Sequence, residues 1–344
     1  MGSTKRKLIL SILSTALTVV CLTSTTYAWF ARNSEAWTEE FNFEIENHDN
    51  LLISVDGENF RSSISNDLLK KAIVAKANNI DILTDSKSDT PTLTDTYINK
   101  EFNKIRIKGV STSDVVSFTA IDEVNGTDGY FNIIDADKYN YLAFDLYFKV
   151  DATKEADKAY DLAFVSSDYS ASSDSNVPVS YLKSLDTEAT IHSGFTIGDV
   201  TYKADDKINI NLVNAMRIGV ITDTTNESKP LIYEPYAGLG SYAIKDGTGS
   251  YNPEENLMYR HLNEYGRYDL LPLDDTNGVY QNTLKSFDDE VSLGKFDAVN
   301  DSEYNIVKIT IAIWLEGYDA DYLSTVDLTE LSCYLSFFKK ERAV

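Results

Sequence analysis

The sequence predicts a mainly β protein: an antiparallel jelly-roll-like β-sandwich with one or two short helices and long loop insertions. Three observations predict it. Runs of alternating apolar and polar residues recur along the chain, Gly/Asn/Asp turns separate them, and only two segments carry helical spacing and caps. The chain has 344 residues, of which 43% are apolar, enough for a large core and too much for a disordered protein. No repeat of fixed period is present.

At the N-terminus, Lys5, Arg6 and Lys7 precede an apolar stretch at 8–22 and the small-residue end Thr26-Tyr27-Ala28. These are the three regions of a secretory signal peptide in order. The stretch is diluted by Ser11, Ser14, Thr15 and Thr18 and falls short of the roughly 20 apolar residues of a spanning helix. Cleavage is therefore expected between Ala28 and Trp29, which leaves 29–344 as one β-sandwich domain with insertions at about 60–100 and 223–300. Val20 before Cys21 is not the small residue of a lipidation site, so membrane contact is expected only through an uncleaved signal.

The first strand is predicted at 41–55, where Phe41, Phe43 and Ile45 alternate with polar residues and Asp56-Gly57 supplies a hairpin turn. Ser65 or Asn66 caps a short helix at 65–76 with Leu69, Ile73 and Val74 on one side. The Asp-, Thr- and Ser-rich stretch 84–100 is expected to loop over the surface. Strands follow at 104–110, 115–121 and 141–150, the last with Phe144, Leu146, Phe148 and Val150 on one face.

Residues 166–184 have the composition of an exposed loop, 215–222 form a strand, and 223–300 form a long excursion from the sheet. That excursion holds the best helix signal, at 253–265, with Asn252 as cap, Pro253 at the first position, Glu255 closing a capping box and Gly266 as terminator. The clearest strand then alternates Val307, Ile309, Ile311, Ile313 and Leu315 with Lys308, Thr310, Ala312 and Trp314. A closing strand at 329–338 sets Leu331, Cys333, Leu335 and Phe337 on one side.

Fifty-four acidic residues against 31 basic ones give a net charge of −23, which becomes −26 when Lys5, Arg6 and Lys7 leave with the signal. Such a surface repels nucleic acid and anionic membrane and excludes both as partners. Cys333 is the one cysteine of the processed chain, so no intramolecular disulfide can form. Its strand context predicts a buried apolar role in preference to a reactive one.

Catalytic signals are weak. His48, His192 and His261 stand apart, with no HExxH pair to hold zinc. There is no Gly-x-Ser-x-Gly elbow, and Gly238-Leu239-Gly240-Ser241 lacks the lysine of a phosphate loop. No enzyme activity is expected. Asp274, Asp275 and Asn277 crowd oxygens into one turn and are weak Ca²⁺ candidates, without the alternating ligands and distal Glu of an EF-hand. Glu316 and Asp319, at the end of the clearest strand, are read as turn residues before ligands. Tyr233, Tyr236, Tyr242 and Tyr251 are the first candidates for stacking on sugar rings, against the plainer reading of strand packing.

Two stretches resemble a known family. Ser24-Thr25-Thr26-Tyr27-Ala28-Trp29-Phe30 resembles the cleavage region of Gram-positive proteins processed by the dedicated signal peptidase of the TasA and camelysin group. Ile311-Ala312-Ile313-Trp314-Leu315-Glu316-Gly317-Tyr318-Asp319, followed by a closing strand, is similar to the C-terminal end of related secreted proteins. The resemblance implies an exported jelly-roll subunit of the cell surface or extracellular matrix, polymerising into biofilm fibres in relatives. It also implies a metallopeptidase reading through camelysin, for which the three isolated histidines offer no ligand pair. Residues 60–300 match no part of that family.

The expected function is a secreted, non-enzymatic surface or matrix protein that associates with itself or with other matrix proteins. Trp29, Phe30, Trp37, Phe41, Phe43 and Ile45 make the candidate assembly strand, an aromatic segment at a terminus created by processing and able to add to a neighbour's sheet edge. The alternative is a carbohydrate-binding or adhesin module with cell-wall or matrix polysaccharide as partner, and the third reading is the metallopeptidase.

Overall fold

A computed structural model describes residues 40–47, 51–83, 92–112, 114–123, 131–150, 158–172, 177–184, 186–190, 195–197, 200–203, 205–222, 230–235, 273–274, 279–280, 284–300, 303–317 and 330–342. The fold is mainly β. Strand β7 (Leu142–Val150) shows how the sequence makes it: Leu142, Phe144, Leu146, Phe148 and Val150 are buried, while the residues between them are half-buried. That period of two puts one face of the strand into the core.

β7 pairs antiparallel with β2 (Leu51–Ser54) and with β22 (Val307–Glu316). The other edge of β22 is taken by β14 (Met216–Thr222), from Met216↔Leu315 to Thr222↔Ile309. Held on both edges, β22 is a central strand, and its burial extends to both faces at its C-terminal half. Beyond β14 the sheet continues through β15 (Leu231–Tyr233) to β18 (Leu284–Lys285). At the C-terminal end of β22 it adds β4 (Gly109–Ser111), β5 (Thr119–Glu123) and β6 (Phe131–Asp135), which makes nine strands in all.

A second sheet of six strands is built on β23 (Glu330–Arg342). Along one edge lies β1 (Glu40–Asn47), in register from Glu40↔Glu330 to Asn47↔Phe337. Along the other lie β9 (Tyr181–Lys183) and β8 (Ala159–Phe164). β3 (Ser63–Ile64) follows β1, and β19 (Gly294–Phe296) follows β8. Four antiparallel ribbons complete the described strands: β10 (Asp186–Thr190) with β13 (Lys207–Asn211), β11 (Phe195–Ile197) with β12 (Val200–Tyr202), β16 (Leu273–Asp274) with β17 (Val279–Tyr280), and β20 (Ala298–Asn300) with β21 (Glu303–Tyr304).

The two sheets share one core. Phe43 and Ile45 from β1 and Leu331, Cys333, Leu335 and Phe337 from β23 belong to the same cluster as Ile53, Phe144, Ile309 and Ile313 of the larger sheet. Aromatic rings bridge the layers, Phe148 meeting Phe337 at 4.8 Å and Phe164 meeting Tyr233 at 5.0 Å between centroids. Helix α1 (Asn66–Ala77) packs Leu69, Ile73 and Val74 into this core, and of the two predicted caps Ser65 takes the N-cap position, without a side-chain capping hydrogen bond. Its last turn carries Lys76, which pairs with Asp145 of β7 at 2.7 Å. Thr310 Oγ1 donates to the same carboxylate at 2.7 Å. Burial would raise the Asp145 pKa, but these hydrogen bonds and the charges of Lys76 and Lys308 hold it below the ordinary value.

The structure corrects several expectations. The sheets are mixed, not antiparallel: β1 with β23, β4 with β22 and β15 with β18 run parallel. The 41–55 strand is two strands in different sheets, because β1 joins β23 while β2 joins β7. Within the expected loop 84–100 begins helix α2 (Asp95–Phe102), where Thr94 accepts a hydrogen bond from the Tyr97 N–H at 3.3 Å as an N-cap. Of 104–110, only the end enters β4, although Ile105 and Ile107 are buried.

Residues 166–184 hold helix α3 (Ser167–Ser172) and β9, with Val177, Ser180 and Leu182 buried. Ser180 Oγ ties that segment to β23, accepting from the Ser336 N–H at 2.9 Å. The 223–300 excursion returns to both sheets, through β15 and β18 in one and β19 in the other. The helix expected at 253–265 lies outside the described residues.

Candidate functional site

Alternation along β1 turns Phe43 and Ile45 into the core and leaves Glu44 exposed and Glu46 half-buried on the other face. On the neighbouring β23 the residue set against Glu44 is Tyr334, and across β23 the partner of Tyr334 is Tyr181 of β9. The two tyrosine rings stack, 5.5 Å between centroids and 16° between planes. Tyr334 OH donates to Glu46 Oε2 at 3.1 Å. Burial of the ring, with the carboxylates of Glu46 and Glu44 beside it, holds the Tyr334 phenol well above the ordinary tyrosine range despite an opposing hydrogen bond from Ser336. The phenol therefore stays a donor at any physiological pH.

β3 and the start of α1 close this region into a cavity of about 450 Å³, lined by the two glutamates, the two tyrosines, Ser63, Ser65, Asn66 and Ser332, with Phe43, Ile64 and Cys333 below. The cavity adjoins the outer edge of β1. β1 is paired along its whole length with β23, but on its other edge, among the described residues, only Ile45 and Glu46 are paired, with Ile64 and Ser63 of β3.

Of the predicted assembly strand, Phe41, Phe43 and Ile45 lie in β1 within their own sheet, and Phe43 and Ile45 are core residues. Ala28, Trp29, Phe30 and Trp37 lie outside the described residues, as do His48, His192 and His261. Asp274 falls in β16, and Asp275 and Asn277 lie outside the described residues. Among the described residues no three His, Cys, Asp or Glu side chains converge as metal ligands.

Tyr233 is not a sugar platform: it is buried between Phe164 and Phe287, and that burial raises its pKa. Tyr236, Tyr242 and Tyr251 lie outside the described residues. Glu316 is not a turn residue at the surface either. It is fully buried at the end of β22 and accepts from Trp314 Nε1 at 3.2 Å, while Asp319 lies outside the described residues. Sequence reasoning missed Tyr181, Tyr334, Glu44 and Glu46, although the alternation in 41–46 already sets both glutamates opposite Phe43 and Ile45.

Cys333 takes the buried role expected of it, with a thiol pushed well above its ordinary pKa by burial. A disulfide reagent such as DTNB should leave the folded protein unmodified and titrate one thiol per processed chain in denaturant. Fast reaction under native conditions would show that the β23 face opens.

No known protein family matches the chain, and neither curated proteins nor solved structures supply a match.

Proposed function

We propose that the chain is an exported, non-enzymatic structural protein of the cell surface or extracellular matrix, whose copies associate by strand addition. The observation that carries this reading is the position of β1, which lies between the long strand β23 and the two-residue strand β3 and directly follows, in sequence, the segment that signal cleavage would free. Residues 29–39 immediately precede β1 in sequence and contain Trp29, Phe30 and Trp37. Added to a sheet edge of a second copy, such a segment gains main-chain hydrogen bonds, and its aromatic side chains supply burial. The contact joins different surfaces of the two copies, so repetition gives a fibre in place of a closed dimer.

Three further features support the reading. A net charge of −23 suits a soluble extracellular protein. The stretches 24–30 and 311–319 resemble the TasA and camelysin group. We read the two sheets as a jelly roll, because the chain changes sheets between β1 and β2, between β7 and β8, and between β22 and β23.

The test compares residues 29–344 with residues 40–344 by electron microscopy and sedimentation. The longer chain should form filaments and the shorter one should stay monomeric with the same melting temperature. Filaments from 40–344, or a monomeric 29–344 at every concentration and pH, would defeat strand addition.

A further inference from the structure

We infer that the cavity between β1, β9 and β23 binds an uncharged pyranose glycan. This is a separate activity from strand addition and rests on different side chains. Its volume of about 450 Å³ lies within the range of small-ligand sites and suits a sugar ring or two. Tyr181 is 42% exposed, with its ring stacked against Tyr334. A tyrosine face is electron-rich and attracts the weakly positive C–H face of a pyranose, so this ring offers a platform of the right shape and sign.

The rim completes the chemistry. Glu44 and Glu46 are acceptors for sugar hydroxyls, and a charged acceptor makes the stronger hydrogen bond. Ser63 and Ser332 both donate and accept. The Tyr334 hydroxyl is held by Glu46, which fixes the floor of the platform before any ligand arrives. The charged groups lining the cavity are both carboxylates. An anionic glycan is repelled there, and the net charge of −23 adds to that repulsion.

The test measures binding of the purified protein to immobilised glucan, mannan and galactan, with polygalacturonate as the anionic control. At least one uncharged polymer should bind and polygalacturonate should not. Tyr181→Ala should weaken binding by about tenfold or more, while the protein stays folded with its melting temperature lowered by only a few degrees, since the lost contact is a single partly exposed ring. Glu44→Gln, which keeps the shape of the rim, should weaken it by a smaller factor. Absence of binding to all three uncharged polymers, binding by Tyr181→Ala equal to the parent protein, or binding confined to polygalacturonate would overturn the assignment.

Discussion

Replacing Ile311 with aspartate should lower the melting temperature by about 10–20 °C. Ile311 is fully buried at the middle of β22, opposite Val220 of β14 on one side and Phe144 of β7 on the other. A carboxylate there would be fully buried among apolar neighbours, so it must stay unpaired or take up a proton. Either choice costs about 4–5 kcal/mol, a large part of the roughly 5–15 kcal/mol that holds a domain folded. Ile311→Val removes one methylene and should cost only about 1 kcal/mol. Differential scanning calorimetry of the two variants separates the loss of volume from the burial of charge. An aspartate variant that melts with the parent would show that β22 is not a central strand.

Removal of Arg217 should be nearly as damaging. Its guanidinium is 1% exposed and lies 2.8 Å from Glu234 Oε1, itself 7% exposed. The contact is close in distance but lacks the alignment of a hydrogen bond at that oxygen. Arg217 also donates to the Met216 carbonyl at 3.0 Å. Arg217→Ala removes the cationic partner of the buried Glu234 carboxylate, a loss of about 3–5 kcal/mol. The double change Arg217→Met with Glu234→Leu removes both charges and keeps the volume, and it should recover most of that loss. Chemical denaturation of the single and double variants gives the comparison. A double variant no more stable than Arg217→Ala would mean that the pair contributes net stability of its own.

The same face shows how local irregularity serves packing. Val115 has φ of 61°, a conformation that strains a β-branched residue. Its methyl groups fill the space over Gly219, where an added Cβ would sit 2.4 Å from Val115 Cγ1. Trp314 borders the same spot, and Phe118 meets the Trp314 ring edge-on at 5.5 Å. The turn, in place of the start of the strand expected at 115–121, is held by Thr112 Oγ1, which accepts from the Val115 N–H, and by Asp114 Oδ1, which accepts from those of Val116 and Ser117. It sets Val115 and Phe118 over Gly219 and Trp314, the small and the large side of the outer face of β14 and β22.

Features that depend on near neighbours along the chain are legible in the residue pattern alone. Strict alternation in 142–150 and 307–315 decided which side chains face the core, since a strand turns successive residues to opposite sides whatever its partner. Ser65 and the spacing of Leu69 and Ile73 likewise marked helix α1.

Which strands pair, and in which direction, emerges from contacts between segments distant in the chain. A period of two is the same in parallel and antiparallel strands, so the parallel seating of β1 on β23 left no local trace. The candidate site depends on that seating. Glu46 and Tyr334 stand 288 residues apart, and Tyr181 reaches them from a segment whose Ser- and Asp-rich composition reads as loop. Composition reports how readily a segment is solvated, whereas its position follows from the long-range contacts that repay the entropy of closing the chain.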